Sequence, residues 1–491
     1  MRAIGIDFGT ANSAVAVVED DGQVRSLSWP SAAGSVDVFR TALAFWSEGR
    51  APRAVLRTAG GPQALEHALS GTGQGRLIQS IKTYLGSRAF TDTRLYGQRF
   101  TLPNLVSTFL RHLVPDRDAL LSEAAAVVAG RPVVFAGENP DEALAVERLG
   151  TAFAEAGFGT VELAYEPLGA AYWYARNLRR DETVLVADFG GGTSDFSVIR
   201  FERVGVGFEA TPLTHGGVGI AGDTFDYRLI DRYVAPQLGR GSHYRSFDKL
   251  LPIPAYIHAA FSQWHQSSWL KAPHTMAELR KLRAASDDPA AMERLIDFID
   301  LDLGFELYGA ITGVKSRLSE AERTRFAFDT AGIRLEADVT RAEFERLIAP
   351  DLARIAAAAD DTLARAGLGY GDIDAVFTTG GTSQVPAVRR LFVERFGADL
   401  LHTAHPLQSV ASGLALHAER LRVRCRERPD QASVWPLGVT RSPLDAAPAR
   451  SYLRSTPARA FAARLPQRVS SWPLPIPSPP RSPTRASTRT S

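Results

Sequence analysis

The chain has 491 residues, which is long enough for two to four domains with sizeable cores. Its 45% hydrophobic and 22% charged residues are typical of a globular protein, and no run of about 18 apolar residues indicates a membrane span. The single cysteine, Cys425, excludes an intrachain disulfide and a cysteine metal cluster. Because Met1 runs into a strand-like segment without a leader pattern, we expect a cytoplasmic protein.

The first predicted element is a hairpin at residues 3–18, AIGIDFGTANSAVAVV. An apolar strand leads to Asp7, a loop of Gly9 and small residues follows, and a second apolar strand leaves that loop. Glycine lets backbone amides approach a ligand, and a neighbouring aspartate suits a phosphate carried with Mg²⁺.

Lys82 stands out in the next stretch, because it is the first lysine in a chain in which arginine supplies most of the 56 basic residues. A surface charge is one interpretation, but arginine fills most surface roles here, so a retained lysine is informative. We then predict a helix at 104–130, a strand and turn at 131–137, a helix at 140–157, a strand at 160–164 and a helix after Glu166. This alternation indicates the α/β class.

Residues 184–199, VLVADFGGGTSDFSVI, repeat the pattern of the first hairpin. Asp188 follows the strand, Gly190, Gly191 and Gly192 form the loop, and Thr193 and Asp195 follow. An ordinary tight turn with two solvated aspartates would explain one such loop. The echo of residues 3–18 indicates instead a duplicated domain, in which each half offers one phosphate-binding hairpin.

The second half contains two further glycine loops. The first, with Gly217, Gly222 and Asp223, follows a strand at 208–214 and leads into a helix that begins near Phe225, a place that suits phosphate or ribose. The second, at 380–384, lies between a strand and a helix start. Helices are also predicted through most of 230–305 and at 306–322, 339–366 and 405–420, and Lys315 and Ser319 share a face of one of them.

The composition changes at residue 421. Twelve of the 29 prolines lie between there and the end, with thirteen arginines and three acidic residues, a net charge of +10. Because the whole chain carries +2, residues 1–420 are near −8. We predict a disordered tail at 421–491 and no nucleic-acid-binding surface on the acidic body.

Several nucleotide and catalytic motifs can be excluded. No Gly-Lys dipeptide occurs, so the Walker A loop is absent, and no G-x-G-x-x-G follows the first strand as a Rossmann site requires. The two Asp-Phe-Gly triplets occur without the H-R-D loop of protein kinases, and neither G-x-S-x-G nor H-E-x-x-H is found. The pattern that the chain does contain is a set of glycine turns at strand ends, each with Asp or Thr beside it.

These motifs, in this order over residues 3–420, resemble the ATPase domain of the seventy-kilodalton heat-shock (DnaK-type) chaperone family, within the actin, hexokinase and chaperone ATPase superfamily. The matching segments are GIDFGTANS at 5–13, KTYLGSR at 82–88, Glu166-Pro167, 188–195, GDTFD at 222–226, Lys315 with Ser319, GGTSQVP at 380–386 and 405–413. The resemblance implies an actin-like ATPase fold, with two ribonuclease-H-like lobes (1–183 and 184–420) around a nucleotide cleft.

The resemblance also implies roles. Lys82, Glu166, Asp188, Thr193 and Asp195 would be catalytic, and Asp7 and Asp188 would hold Mg²⁺ through water. The implied nucleotide-binding residues are Asp7, Gly9, Thr10, Ala11, Asn12, Gly190, Gly191, Gly192, Thr193, Gly217, Gly222, Asp223, Lys315, Ser319, Gly380, Gly381, Thr382 and Gln384. ATP or ADP and Mg²⁺ are the expected ligands, and unfolded proteins or co-chaperones are the partners that the family suggests.

The chain departs from the family pattern at the base end of the site. Thr312, Gln384 and Leu407 replace an acidic residue, an arginine and an aspartate, so base selectivity is open. The block 227–305 is longer than usual, which predicts an enlarged helical subdomain, and the tail does not resemble the family's peptide-binding domain, so the chain looks like the short YegD-type members.

Three functions follow as alternatives. The first is a slowly hydrolysing, monomeric chaperone-like ATPase, and the second is a nucleotide-gated scaffold or filament-forming actin-like protein. The third is a small-molecule kinase, for which the sequence shows no acceptor-site base.

Overall fold

The computed structural model describes residues 2–427 with gaps at 33, 50–53, 70–74, 123, 138, 160, 205–206, 263–267 and 404–407. Both predicted lobes lie within one compact unit, Met1–Ala446. The predicted tail lies outside the described residues except for 421–427, which continue the last helix. No helix in the described ranges has the length and apolar character needed to span a membrane.

Among its described residues, the first half contains thirteen strands and five α-helices. The strands are β1 Arg2–Phe8, β2 Asn12–Val18, β3 Val24–Ser26, β4 Trp29–Ser31, β5 Gly34–Val36, β6 Phe39–Arg40, β7 Ala42–Glu48, β8 Val55–Gly60, β9 Gly75–Gln79, β10 Asp92–Leu95, β11 Gln98–Thr101, β12 Ala124–Arg131 and β13 Glu162–Tyr165. The helices are α1 Gly61–Leu69, α2 Leu102–Leu113, α3 Arg117–Ser122, α4 Glu142–Glu155 and α5 Glu166–Ala175, and a 3-10 turn spans Ile81–Tyr84.

The second half contains nine strands and eight helices among the described residues. The strands are β14 Glu182–Phe189, β15 Ser194–Val204, β16 Gly207–Val218, β17 His243–Ser246, β18 Lys249–Pro252, β19 Arg323–Thr330, β20 Ile333–Thr340, β21 Ala375–Thr379 and β22 Leu401–Thr403. The helices are α6 Gly222–Leu229, α7 Ala255–Ser262, α8 Pro273–Ala285, α9 Pro289–Asp300, α10 Gly304–Glu320, α11 Arg341–Arg365, α12 Pro386–Phe396 and α13 Ser409–Glu427.

The two main sheets have the same topology. The first has the order β13-β12-β1-β2-β3, with β1, β12 and β13 parallel and β1, β2 and β3 antiparallel; β6 also pairs with β2. The second has the order β16-β15-β14-β21-β22, with the corresponding parallel and antiparallel pairs. This repetition confirms the predicted duplication and the actin-like fold of two ribonuclease-H-like lobes.

The helix predicted at 104–130 is wrong in its second half. Helix α2 ends at Leu113 and α3 at Ser122, and residues 124–131 form strand β12. The strand and turn predicted at 131–137 therefore share only Arg131 with the observed strand. The run AAAVVAG has the composition of a helix, but it lies between β1 and β13. An internal parallel strand is covered on both faces, so its sequence is apolar throughout and shows no alternation.

Other boundaries differ less. The block 230–305 is mainly helical as predicted, but it also contains the hairpin of β17 and β18. The helix that carries Lys315 is α10, and its bounds are two residues earlier than predicted. The last helix continues to Glu427, seven residues past its predicted end at residue 420.

Helices α5 and α13 cross in very close contact, with α13 packed against the first sheet and α5 against the second. A Cβ built on Gly413 of α13 would lie 1.6 Å from the carbonyl oxygen of Gly169 in α5, and one built on Gly5 of β1 would lie 2.2 Å from the backbone of α13. Only glycine permits these approaches. The last helix of the described chain is therefore packed directly against its first strand.

Candidate nucleotide site

A cavity of about 1330 Å³ lies between the two main sheets. Its lining includes the ends of β1 and β14, both glycine hairpins and the cavity-facing side of α10. Most of the predicted site residues line it: Asp7, Gly9, Thr10, Ala11, Asn12, Lys82, Glu166, Asp188, Gly190, Gly191, Gly192, Thr193, Gly222, Asp223, Lys315, Ser319, Gly380, Gly381, Thr382 and Gln384. Asp195 and Gly217 do not line it.

The tips of the two glycine hairpins face each other. A Cβ on Gly191 would be 3.4 Å from the Cβ of Ala11, and one on Gly192 would be 3.5 Å from Oγ1 of Thr10. Thr41 fixes the first loop, because its Oγ1 donates a hydrogen bond to the Gly9 carbonyl oxygen at 2.8 Å. The opposed loops thus form one polar, amide-rich cradle at the centre of the cavity.

Lys82 and Glu166 form a buried ion pair beside this cradle. The Nζ of Lys82 lies 2.5 Å from Oε1 of Glu166, and both side chains are at most 9% exposed. The lysine comes from the 3-10 turn after β9, and the glutamate is the first residue of α5. Burial opposes the charge of Lys82, but Glu166 and Asp7 outweigh burial, so the pKa of Lys82 is raised. The ammonium group therefore stays charged.

Three carboxylates collect at the ends of β1, β14 and β15. Burial and the charge of Glu166 raise the pKa of Asp7 to about 7, against the opposing effect of Lys82. Burial, followed by Glu166 and Asp7, holds the pKa of Asp188 well above its usual range. This crowding of negative charge would be relieved by a cation, and carboxylate oxygens are the ligands that Mg²⁺ prefers. The described residues contain no group of three or more side chains that could ligate a metal directly, so Asp7 and Asp188 fit a Mg²⁺ held through its water ligands.

Asp195 is buried beneath the cavity surface and joins the lobes. Its Oδ1 accepts hydrogen bonds from the backbone amides of Val133 (3.0 Å) and Val134 (3.1 Å), and its Oδ2 accepts one from Thr193 (2.7 Å). Burial, with Glu166, nevertheless raises its pKa to about 7. Gly217 packs against this carboxylate, since a Cβ there would lie 2.7 Å from Oδ1. Gly217 thus contacts a site residue rather than the cavity.

The second-lobe end of the cavity is also tied together by hydrogen bonds. Lys315 Nζ lies 2.9 Å from the carboxylate of Asp226 and 3.0 Å from the Gly222 carbonyl oxygen, so the lysine is engaged by α6. Thr312 donates to the same Asp226 carboxylate at 3.1 Å. Asp223 lines the cavity. Desolvation by the surrounding protein, followed by the negative charge of Asp226, raises the pKa of Asp223 to about 6.

The glycine turn after β21 completes this end. Thr382 Oγ1 donates to the Gly190 carbonyl at 3.0 Å, which connects this turn to the second hairpin. Gly380 has φ of +82°, and a Cβ there would lie 2.1 Å from the Phe189 carbonyl oxygen. Ser319 donates to its own helix, and Gln384 donates to Ser383. Leu407, where the chain departs from the family's aspartate, lies outside the described residues, as does His405-Pro406.

Sequence reasoning missed three features of the site. Arg40 lines the cavity from a segment that carries no recognisable motif. Arg228 and Asp351 form a two-point ion pair at the cavity edge at 2.8 and 3.0 Å, and their 123-residue separation gives no signal in the chain. The third feature is the pair of backbone amides, from Val133 and Val134, that hold Asp195. They follow β12, in the stretch that the sequence predicted to be a strand and turn.

Two duplicated lobes with opposed glycine hairpins, a buried lysine and clustered carboxylates define an actin-like ATPase fold. The Hsp70 protein family matches residues 77–243 and 304–429, which is more than half of the chain. The chain therefore belongs to the Hsp70 family.

Curated relatives agree with this assignment. The chaperone protein DnaK of Thermus thermophilus is 25% identical over 441 residues, covering 87% of this chain and 62% of the relative. The chaperone protein DnaK of Deinococcus proteolyticus is 25% identical over 440 residues, covering 85% of this chain and 59% of the relative. The chain thus spans about three fifths of the length of these chaperones.

Proposed function

We propose that the protein binds Mg-ATP in this cavity, hydrolyses it slowly, and couples the nucleotide state to closure of the two lobes and to interaction with other proteins. The observation that carries the proposal is the buried Lys82–Glu166 pair beside two opposed glycine loops. Membership of the Hsp70 family supports the same chemistry. We also propose a monomeric, cytoplasmic protein whose partners are unfolded proteins or co-chaperones.

The residues divide the work of phosphoryl transfer among positioning, charge neutralisation and proton handling. The loop amides with Thr10 and Thr193 would hold phosphate oxygens, and the Lys82 ammonium would neutralise charge at the terminal phosphate. Glu166 fixes the position of that ammonium. Asp7 and Asp188 would hold Mg²⁺ through water, and this ion supplies neutralisation of the phosphate charge.

Asp188 and Asp195 would orient the attacking water. Asp195 is held on three sides by Val133, Val134 and Thr193, so its carboxylate cannot rotate freely. A carboxylate with a pKa of about 7 is matched to accepting a proton near neutral pH. Because the lobes meet at this residue, their closure would bring water and phosphate into line.

The first prediction is the loss of ATP turnover in Lys82→Ala and Asp188→Asn. Removing one electrostatic contact of this kind costs about 3–4 kcal/mol of barrier, or a hundredfold or more in turnover. Phosphate release under single-turnover conditions measures the effect. Lys281→Ala is the matched control, because Lys281 is exposed on α8.

Calorimetry with Mg-ATP separates binding from hydrolysis. Wild-type protein that binds no Mg-ATP would remove the proposal altogether. Equal turnover in the wild type, Lys82→Ala and Asp188→Asn would remove the mechanism but leave nucleotide binding intact.

A further inference from the structure

Five cationic side chains line the cavity: Arg40, Lys82, Arg228, Lys315 and Arg354. Three of them are paired, Lys82 with Glu166, Lys315 with Asp226, and Arg228 with Asp351. Arg354 is exposed. Within the described part of the chain, Arg40 is the partly buried cation of the cavity that forms no ion pair.

The environment of Arg40 is that of a cation lacking a counter-ion. Burial lowers the pKa of its guanidinium, and Asp223 and Asp226 of the opposite lobe attract it electrostatically without forming an ion pair. An arginine remains charged under these conditions. The group has therefore lost part of its hydration without direct compensation by a carboxylate, a costly state unless an anion binds.

The position of Arg40 is fixed relative to the first glycine loop. Strand β6 places Arg40 opposite Asn12 in the ladder with β2, and Nη1 of Arg40 donates to Oδ1 of Asn12 at 3.0 Å. The next residue, Thr41, donates its backbone amide to the Ala11 carbonyl at 2.9 Å and its hydroxyl to the Gly9 carbonyl. The guanidinium is thus oriented in advance beside the loop to which phosphate binding is assigned.

We propose that Arg40 is a phosphate-binding residue of this site, whose guanidinium contacts the polyphosphate of a nucleoside di- or triphosphate, with Asn12 as its positioning residue. The inference rests on the proposed function, since it requires a nucleotide in the cavity. A planar guanidinium has several donors and suits phosphate oxygens better than an ammonium does. Asn12 uses one of these donors, and the others remain for the ligand.

The test compares phosphorylated and unphosphorylated ligands. Titration calorimetry with Mg-ATP, Mg-ADP and adenosine (the last up to millimolar concentration) is performed on the wild type, Arg40→Met and Arg40→Lys. Charge-assisted hydrogen bonds of this type correspond to roughly a tenfold to hundredfold change in affinity. We expect that loss for ATP and ADP in Arg40→Met, a smaller loss in Arg40→Lys, and no change for adenosine.

The control is Arg57→Met, because Arg57 is an exposed arginine of the same lobe that pairs with Glu48 on the surface. Arg40→Met with wild-type affinity for ADP would overturn the inference while leaving the proposed function standing. An equal loss for adenosine and ADP, or an Arg40→Lys variant as weak as Arg40→Met despite a wild-type melting temperature, would show a structural role and overturn it too. Absence of all binding in the wild type would instead remove the proposed function.

Discussion

At the scale of single residues, Asp195 shows how one carboxylate can connect two lobes. It belongs to the second lobe, yet two of its three hydrogen bonds come from amides of the first. Burying a carboxylate disfavours its charged form, and Glu166 adds like-charge repulsion, so three hydrogen bonds still leave its pKa near 7. Between pH 3.8 and about 7, we therefore expect the folded, nucleotide-free protein to hold a proton there that the unfolded chain releases.

The resulting prediction concerns the pH dependence of stability. The folded pKa of Asp195 is about 7 and its ordinary value is 3.8, so between these values the folded state binds more protons. The free energy of unfolding then falls as pH rises through this window, by at most about 1.4 kcal/mol per pH unit for one group. Urea titrations of nucleotide-free protein at pH 5, 6, 7 and 8 should show a shallower fall in Asp195→Asn than in the wild type.

The control for this series is Asp361→Asn, since Asp361 is exposed on α11. Parallel pH profiles for the wild type and Asp195→Asn would contradict the assigned proton. The asparagine can still accept the two amide hydrogen bonds, so a difference in slope reports charge rather than lost contacts.

Much of the site was predictable at this scale, but not all of it. Short motifs whose chemistry can be predicted from the sequence contain Asp7, Lys82, Glu166 and Asp188. The structure places all four residues in the lining of the same cavity. Arg40 could not be found in this way, because its place depends on a two-residue strand pairing with Asn12. Gly217 was predicted to contact the nucleotide, but the carboxylate of Asp195 fills the space beside it.

At the scale of elements, the hairpins were predictable and β12 was not. Hairpins combine apolar strands with a glycine turn, a local signal that identifies β14 and β15 from the sequence. The identity of β12 depends on its neighbours β1 and β13, which are distant in the chain. Alanine favours helix when such neighbours are ignored, so tertiary context overrode local propensity here.

The crossing of α5 and α13 gives a prediction for an element contact. Gly413→Val should destabilise the protein by about 1–3 kcal/mol or more, because its Cβ would overlap the Gly169 carbonyl and push the helices apart. Chemical denaturation measures the change. Gly313→Ala in α10 is the matched control, since it meets only the flexible end of Arg317 and should stabilise by up to about 1 kcal/mol.

A Gly413→Val variant as stable as the wild type would mean that the helices do not cross as closely as described. A loss of nucleotide affinity without a loss of stability would instead indicate that the crossing controls the angle between the lobes.

At the scale of the whole molecule, residues of both lobes line the cavity, so a nucleotide bound there would contact both lobes at once. A ligand that binds only the folded state stabilises it by about 2.7 kcal/mol at a concentration of 100 times its dissociation constant. We expect the melting temperature to rise steadily with Mg-ADP concentration in the wild type and much less in Lys82→Ala. A melting temperature that does not respond to Mg-ADP at any concentration would contradict a shared nucleotide site.

The overall architecture was the most predictable part, because the two hairpins repeat the same chemistry and the two sheets repeat the same order. The sequence also predicted that the block between α6 and α10 is long and mainly helical. Its β17–β18 hairpin was not predicted, since it is short and lacks the Asn-Gly or Asp-Gly turn that signals such hairpins.

The packing of α13 against β1 has a consequence for how the chain folds during synthesis. Strand β1 leaves the ribosome long before the helix that covers one of its faces, because that helix begins only at Ser409. Until then the small apolar residues on that face of the sheet, Ala3 of β1 and Ala14 and Ala16 of β2, lack Val410, Ala411 and Leu414, which share their core cluster in the finished protein. The first sheet is therefore completed by contacts between segments that are distant in the chain, and we expect such contacts to make the final assembly step slow.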